Sequence, residues 1–301
     1  MEIIFASIFD PSTNLQLVAA GLALGAIYAV VALGFVLVHK ATDVLNLAHG
    51  EFVMMATYLS VTFFVTKEMN IFVGALIVVF IMLATGIVIH YGIMRRMVGQ
   101  TFFSIILATL GLATFIKALI LIFYRAFERG RLESLPQGSF YLGDAKIRWV
   151  SVVILIVVAI AVLLFYLFFK HTRLGLHVRA SADSLEAAAA QGIDPDRVYA
   201  ISWAAAMVMA GVGGILFGHF TASIDLNVAH IGLKSFPAAA IGGFESLGGA
   251  ILGGLIVGVV EMLAGGHFGT KWRDPVSYSI LFAVLLFKPA GLFGRRQLER
   301  V

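Results

Sequence analysis

The feature that most constrains the fold is a series of apolar segments, each about as long as a lipid bilayer is thick. The first, Leu15–Val38, contains no charged residue, and about 20 apolar residues in a helix cross a hydrocarbon core of about 30 Å. The whole chain is 60% hydrophobic and 13% charged, whereas soluble domains are about 45–50% apolar and about 25% charged. The sequence therefore predicts an all-α, polytopic transmembrane bundle that forms a single domain over residues 1–301.

Seven further regions could cross the membrane, although one begins with polar residues and another is rich in glycine. They are Val44–Val65, Ile71–Met94, Thr101–Tyr124, Trp149–Phe169, Val198–Phe220, Gly232–Gly265 and Val276–Pro289. The glycine-rich region, Gly232–Gly265, is long enough for two short crossings, or for one crossing and a re-entrant segment. The sequence therefore predicts eight or nine spans.

A charged segment at residues 170–198 separates the fifth span from the sixth and is predicted to lie in water. Asp183 is placed to cap a short helix, Ser184–Gln191, with Glu186 three residues later at the capping-box spacing. Gly192 suits the left-handed position that ends a helix. The alanine-rich face of this helix would let a partner approach closely, and the alternative is an ordinary loop helix.

A second helix is predicted to begin directly after the short one. Asp194 is its candidate N-cap, and Pro195 takes the first helical position, where the missing N–H group costs nothing. This helix is expected to run without a break into the sixth span. Arg173, Arg179 and Arg197 flank the short helix with positive charge.

The predicted orientation depends on basic residues, because Lys and Arg are enriched in short cytoplasmic loops. The residues before the first span contain no Lys or Arg, and three arginines follow the last span: Arg295, Arg296 and Arg300. We therefore expect the N-terminus outside and the C-terminus inside, with residues 170–198 in the cytoplasm. Five spans precede that segment, so an even number must follow it, which favours nine spans.

Three stretches of the sequence resemble one transporter family. The residues E-A-A at 186–188, followed by Gly192, resemble the E-A-A-x-x-x-G loop with which ABC importer permeases present a coupling helix to their ATPase. Residues 46–52 read N-L-A-H-G-E-F, and residues 241–249 read I-G-G-F-E-S-L-G-G. In this order the strings are similar to the LivH-type permease subunits of branched-chain amino acid ABC importers, over nearly the whole chain.

The resemblance implies a permease of the bacterial inner membrane that translocates branched-chain or related amino acids. It also implies partners in the lipid bilayer and beside it: a second, homologous permease subunit, cytoplasmic ATPase subunits that bind ATP and Mg, and a periplasmic binding protein. No cofactor is expected in this chain. By the same resemblance residues 170–198 form the cytoplasmic coupling loop. The residues assigned to ATPase coupling are Arg179, Asp183, Glu186, Ala187, Ala188 and Gly192.

The first candidate for a substrate path is a polar string at the start of the second span. Asn46, His49 and Glu51 lie within six residues of one another. Ionisable groups inside a membrane usually face the protein interior or a water-filled path, because exposing them to lipid is costly. These side chains therefore either pair helices at the interface or line a path.

The second candidate is a glycine-rich break in the seventh region. Irregular backbone is tolerated at membrane depth only where protein buries it or a cavity solvates it. This break is the stronger of the two candidates for the path. Its residues are Gly242, Gly243, Glu245 and Ser246.

Glycines spaced four apart predict close approach of neighbouring helices, because small residues let helix backbones meet in a membrane. The four pairs are Gly21/Gly25, Gly214/Gly218, Gly249/Gly253 and Gly254/Gly258. Lys117 lies inside the fourth span and is expected to play a structural role. A pairing of Lys117 with Glu261 or Glu245 is the less favoured alternative.

Several functions are disfavoured by what the sequence lacks. It contains no G-x-x-x-x-G-K-[ST] phosphate loop, so the chain is predicted not to be an ATPase or another enzyme. It has no cysteine and no metal-ligand pattern, and a net charge of +4 is too diffuse to indicate nucleic acid. Two alternatives to the importer permease stay open. One is an ion-coupled secondary transporter of a small polar solute that uses Glu51, Glu245 or Glu261, and the other is a passive channel.

Overall fold

The computed structural model describes residues 10–42, 44–124, 129–130, 132–244, 246–288 and 290–294, and most of them are helical. The helices are α1 (Pro11–Thr42), α2 (His49–Ser60), α3 (Ile71–Gly92), α4 (Phe102–Tyr124), α5 (Trp149–His171), α6 (Arg173–Asp183), α7 (Leu185–Ala190), α8 (Pro195–Phe220), α9 (His230–Gly242), α10 (Leu247–Phe268) and α11 (Arg273–Phe287). Two short antiparallel ribbons lie in the loops. β1 (Arg129–Gly130) pairs with β4 (Ser223–Ile224), and β2 (Ser139–Leu142) pairs with β3 (Ala145–Arg148).

Within the described ranges, six helices are long and apolar enough to cross a membrane. They are Pro11–Thr42, Ile71–Met97, Phe102–Tyr124, Trp149–His171, Pro195–Phe220 and Leu247–Phe268. Each overlaps a segment that the apolar pattern predicts as a span. The glycine-rich region divides into two helices, α9 and α10, and α9 and α11 are shorter than the other candidates, with 13 and 15 residues.

The predicted second span begins later as a helix than its apolar pattern indicates. Residues 44–48 are not helical, and α2 starts only at His49. The side-chain oxygen of Asn46 accepts a hydrogen bond from the Ala48 N–H group at 3.1 Å. Asparagine side chains offer the backbone such local partners in place of helical hydrogen bonds. α2 then continues as a π-helix, Val61–Thr66.

α1 is the centre of the bundle. In its most apolar stretch 94% of the residues are buried inside the protein, whereas the corresponding share is 22% for α3 and for α5. α8, α9 and α10 pack around α1. A helix that is apolar on all sides and buried is a core helix. The outer helices instead expose large apolar side chains, such as Phe72, Phe123 and Leu164, which match the apolarity of lipid tails.

The glycine pairs bring helices together as predicted, most closely between α1 and α10. A Cβ atom on Gly25 would lie 2.7 Å from the Cα atom of Leu255, and one on Gly254 would lie 2.6 Å from the N atom of Ala29. No side chain larger than hydrogen fits at these positions without moving a helix backbone. The other glycines of the predicted pairs also meet neighbouring helices: Gly21 meets Gly258, Gly214 and Gly218 meet α2, and Gly249 and Gly253 meet α9.

The two ends of the bundle carry different structures. We call residues 170–198 the insert and the first end, where α6 and α7 follow α5, the insert end. α10 also begins there, since Leu247 lines the same surface pocket as Lys170 and Arg179. The C-terminal part of α1 also ends there, since the ring of His39 lies 5.3 Å from that of Phe244 in the α9–α10 turn. At the second end, which we call the ribbon end, the β2–β3 ribbon leads into α5. The β1–β4 pair there joins the loop after α4 to the loop after α8.

The prediction for the start of the insert is wrong in two respects. The insert contains α6 in addition to the predicted helix, and Asp183 is the last residue of α6 rather than the cap of α7. Ser184 caps α7 instead, because its backbone is extended and its hydroxyl accepts the Ala187 N–H group at 3.2 Å. An N-cap needs non-helical backbone, which Asp183 lacks. Glu186 is consequently the second residue of α7, so no capping box forms.

Candidate translocation cavity and coupling surface

A cavity of about 510 Å³ opens between helices at the ribbon end. Its walls come from α1, the end of β3, the end of α8 and the loop after it, the starts of α9 and α11, and the second half of α10. Ligand pockets in proteins commonly measure about 300–1,000 Å³, so a small molecule would fit. The lining residues are Ala20, Leu24, Tyr28, Arg148, Phe217, Phe220, Thr221, Ala222, Asn227, His230, Ile231, Lys234, Glu261, Met262, Arg273 and Asp274.

Four of these side chains form a hydrogen-bonded, charged network. The Lys234 ammonium nitrogen lies 2.7 Å from Oε1 of Glu261 and 2.8 Å from Oδ1 of Asp274. The Tyr28 hydroxyl donates a hydrogen bond to Oε2 of Glu261 at 2.9 Å. Both carboxylate oxygens of Glu261 therefore have partners. Such pairing is what makes a buried charge tolerable, because a buried charge without partners is strongly destabilising.

The network reaches from the protein interior to the surface. Side-chain exposure rises from 2% at Glu261 to 22% at Lys234 and 61% at Asp274. Arg148 and Arg273 add two positive charges to the lining. Within the described residues, the buried Nε atom of Arg273 has no hydrogen-bond partner. The cavity thus presents charges of both signs to any solute that enters it.

Asn46 and His49 lie in the protein interior and do not line this cavity. Each is 1% exposed, and Nε2 of His49 lies 3.0 Å from the carbonyl oxygen of Val31. The His49 ring also packs edge-on against Phe35, with ring centroids 6.2 Å apart. These contacts of His49 pair α2 with α1, as the helix-pairing interpretation of that side chain expects.

Glu51 is half-buried and interacts electrostatically with Lys117 and His230. It is absent from the lining of the 510 Å³ cavity. The alternative pairing of Lys117 with Glu261 is wrong, because Lys234 of α9 lies beside Glu261. Glu245, the other alternative partner and a path candidate, lies outside the described residues.

The predicted glycine-rich break is a turn at the insert end, between α9 and α10. Gly243 has a φ of +95°, in the region that favours glycine. The carbonyl groups of residues 241 and 242 accept hydrogen bonds from the N–H groups of Leu292 and Phe293, at 2.8 and 3.2 Å. Ser246 caps α10. Neighbouring protein therefore supplies hydrogen-bond partners for these two carbonyl groups of the irregular backbone.

α7 ends in a complete Schellman motif, in which two N–H groups after the helix bond back to its last carbonyl groups. Gly192 has a φ of +83°, as its left-handed prediction requires. The Gly192 N–H group donates to the Ala189 carbonyl at 2.9 Å, and the Ile193 N–H group donates to the Ala188 carbonyl at 3.1 Å. A Cβ atom on Gly192 would have no neighbour within 4 Å, so this corner of the insert projects into open space.

The outer surface of the insert combines small, apolar and charged side chains. Ala188 is buried, whereas Glu186 and Ala187 are exposed. On α6, Leu174 and Leu176 are 44% and 54% exposed. The nearby Arg179 side chain is exposed as well and donates to the Lys170 carbonyl oxygen. We refer to the exposed faces of α6 and α7 as the coupling surface.

The insert is attached to the bundle at the start of α8. The predicted cap is confirmed, since the Asp194 side chain accepts the Asp196 N–H group at 3.0 Å and Pro195 is the first residue of α8. Asp196 in turn binds one residue in the last turn of α3 and one just after that helix. Its Oδ1 atom lies 2.9 Å from Nε2 of His90, and its Oδ2 atom lies 3.2 Å from Nε of Arg95. A displacement of the insert would therefore act directly on α3 and α8.

Sequence reasoning missed the charged network in the cavity, because it considered only Lys117 as a partner for Glu261. A signal was available in the glycine-rich region. Lys234 and Glu261 lie 27 residues apart, on either side of the glycine-rich break. If the region folds as a hairpin of two helices, the two side chains lie on neighbouring helices, so Lys234 is a candidate partner for Glu261. Asp274 and Tyr28 carry no comparable signal, since both lie outside the glycine-rich region Gly232–Gly265.

Comparison with known proteins places this chain in a family. Residues 17–287 match the family described as "Branched-chain amino acid transport system / permease component". The chain is 32% identical over 305 residues to the high-affinity branched-chain amino acid transport system permease protein LivH of Escherichia coli K12, covering 95% of this chain and 97% of LivH. It is 29% identical over 304 residues to the corresponding protein BraD of Pseudomonas aeruginosa, covering 95% and 98%.

The fold also resembles that of a solved structure, PsaBC from Streptococcus pneumoniae in complex with Fab. The TM-score is 0.53 at 14% sequence identity, over 96% of each chain. At this identity the similarity concerns the fold alone.

Proposed function

Because the chain belongs to the family of permease components of branched-chain amino acid transport systems, we propose that it is the transmembrane permease subunit of an ATP-binding cassette importer. Its substrate is a branched-chain or related amino acid, delivered by a separate binding protein and moved across the bacterial inner membrane. The chain acts as a transport subunit and not as an enzyme. ATP and Mg are bound by partner subunits.

The observation that carries this proposal is the form of the insert and its position opposite the polar cavity. α7 is a short helix that is capped at both ends and exposes Glu186 and Ala187. Asp196 connects the insert to two membrane helices. A cytoplasmic ATPase that docks on the coupling surface, within the loop of residues 170–198, would thus move α8, whose far end lines the cavity.

We further propose nine crossings, with the N-terminus outside and the C-terminus inside. The six long helices supply six crossings. α2 with its π-helical continuation supplies another, and α9 and α11 supply two short ones. This count puts an even number of crossings after the insert, so that the insert and the C-terminus share the cytoplasmic side. The cavity then opens to the periplasm, where a binding protein delivers substrate.

The α9–α10 hairpin is the proposed wall of the path. It runs from the turn at residues 242–246, on the cytoplasmic side, to Lys234 and Glu261 in the cavity. A path along this hairpin would open to one side at a time as the ATPases bind and hydrolyse ATP. Asn46, His49 and Glu51 pack behind it.

The importer is proposed to contain a second, homologous permease. One chain presents a single coupling insert, whereas importers of this kind use two ATPase subunits. The exposed apolar faces of α3, α4 and α5 are available to the second permease and to lipid. Mass analysis of the intact complex tests this composition, and an active assembly with two copies of this chain and no other permease would contradict it.

The function itself is tested by uptake into vesicles that hold the reconstituted complex. Labelled leucine and the binding protein are supplied on the cavity side, and ATP is supplied on the insert side. We expect uptake to require hydrolysable ATP and to persist when ionophores collapse all ion gradients. A matched sample with a non-hydrolysable ATP analogue serves as the control.

Two outcomes would replace the proposal. Uptake that persists with the analogue but stops with ionophores would identify an ion-coupled secondary transporter. Uptake that needs neither ATP nor a gradient would identify a passive channel.

A further inference from the structure

The charged network combines features that a purely structural ion pair does not need. Its carboxylates and Lys234 face a cavity of about 510 Å³ rather than close-packed side chains. Lys234 bridges two carboxylates of different exposure, 2% at Glu261 and 61% at Asp274. Nearby, the Nε atom of Arg273 is buried and, within the described residues, lacks a hydrogen-bond partner.

The groups in the cavity match both charges of an α-amino acid head group. Such a solute carries an ammonium group and a carboxylate at neutral pH, and neither leaves water without partners of opposite charge except at a large cost. Asp274 and Glu261 can accept hydrogen bonds from the ammonium group. Lys234 and Arg273 can donate hydrogen bonds to the carboxylate, and Arg273 is suited to bidentate binding of it.

The remaining wall of the cavity is suited to an aliphatic side chain. Leu24, Phe217, Phe220, Ile231 and Met262 all line it. Small-molecule sites characteristically combine an apolar lining with a few convergent polar groups. The cavity has this composition, because apolar side chains and the charged network line it together.

We propose that Lys234, Glu261, Asp274 and Arg273 form a binding subsite for the ammonium and carboxylate groups of the transported amino acid, inside the permease itself. The proposal rests on the function proposed above. On arrival, the ammonium group of the solute replaces that of Lys234 as the partner of Asp274, and Lys234 turns to the solute carboxylate. Glu261 stays paired with Tyr28 at the inner limit of the subsite.

The test uses the absence of cysteine from the natural chain. Ala222 lines the cavity and is exposed, so Ala222→Cys would report access to it. Labelling by a small anionic thiol reagent is measured on the whole complex, without ATP and without binding protein. Leu142→Cys, exposed on the β2–β3 ribbon outside the cavity, is the matched control.

We expect leucine to slow the labelling of Ala222→Cys, by about tenfold at ten times its Kd, because labelling requires the unoccupied state. Leucinol, which lacks the carboxylate, and isocaproate, which lacks the ammonium group, should give no protection at the same concentration. None of the three should affect Leu142→Cys.

The protection should depend on the charged network. Asp274→Asn removes an exposed carboxylate and should abolish protection by leucine, measured as the ratio of the labelling rates without and with leucine in the same variant. Asp144→Asn, at an exposed position of the β2–β3 turn, should retain full protection. If the Asp274→Asn chain does not assemble with its partner subunits, the ligand series on the Ala222→Cys chain alone decides.

Equal protection by leucine and leucinol, or no protection by leucine, would overturn the subsite, and neither result bears on whether uptake needs ATP. Conversely, leucine-specific protection together with ATP-independent uptake would leave the subsite standing and contradict the proposed function.

Discussion

Replacing Gly25 by alanine would force α1 and α10 apart, because the new Cβ atom has only backbone atoms to meet. It would lie 2.7 Å from the Cα atom of Leu255 and 2.8 Å from the carbonyl oxygen of Gly254, whereas ordinary contact begins at 3.4 Å. The shortfall of about 0.7 Å must come from helix separation. Overpacking of this kind costs about 1–3 kcal/mol.

The separation would also reach the cavity. Tyr28 lies one turn after Gly25 on α1, and its hydroxyl bonds Glu261 at 2.9 Å. An increase of about 0.7 Å brings the two oxygens to about 3.6 Å, which is too long for a hydrogen bond. Losing a hydrogen bond to a charged group costs about 1.5–3 kcal/mol more. Gly25→Ala should therefore destabilise the chain by several kcal/mol and impair transport.

Denaturant unfolding of the purified chain in detergent measures this loss, and Gly111→Ala is the matched control. Gly111 lies within α4, is exposed and has no atom within 4 Å of a Cβ position. Alanine there should be neutral or should stabilise the chain by about 0.5–1 kcal/mol. If Gly25→Ala proved as stable as Gly111→Ala, the close contact between α1 and α10 would be refuted.

Three further predictions concern the insert end. Gly192→Leu should lower the ratio of amino acid transported to ATP hydrolysed, because left-handed backbone costs leucine about 1–2 kcal/mol. Gly192→Asn should retain the ratio, and equal ratios in the two variants would contradict this prediction. Asp196→Asn should weaken the link from the insert to α3 and raise ATP hydrolysis without substrate; unchanged hydrolysis would argue against that link. Ser246→Cys should react with polar thiol reagents at a rate that changes when ATP is trapped, and Leu76→Cys should stay unlabelled; equal behaviour would place the path elsewhere.

Features that depend on local sequence were predictable. The four-residue spacing of glycines indicates close packing, and the structure pairs Gly21 and Gly25 with α10 because that spacing places both on one face of α1. Gly192 and Pro195 mark the end of one helix and the start of the next for reasons that lie within a few residues. The choice between Asp183 and Ser184 as the cap was not predictable, because it depends on where α6 ends.

Features that depend on helix arrangement were not predictable from the pattern alone. The partner of Glu261 could have been any lysine on a neighbouring helix, and only the register of the α9–α10 hairpin selects Lys234. The apolar character of residues 44–48 equally fits a buried helix and a buried irregular segment. Hydropathy measures the environment of a residue and not its backbone conformation, so the delayed start of α2 escaped it.

The central claim is that the coupling surface faces the ATPase while the cavity faces the binding protein. The test places a single cysteine at Ala187 on α7 or at Leu142 at the ribbon end. Each cysteine carries a photo-activated thiol cross-linker, and capture is measured in the assembled importer. We predict that Ala187→Cys captures the ATPase subunit and that Leu142→Cys captures the binding protein. Capture of the binding protein at Ala187, or of the ATPase at Leu142, would contradict the account.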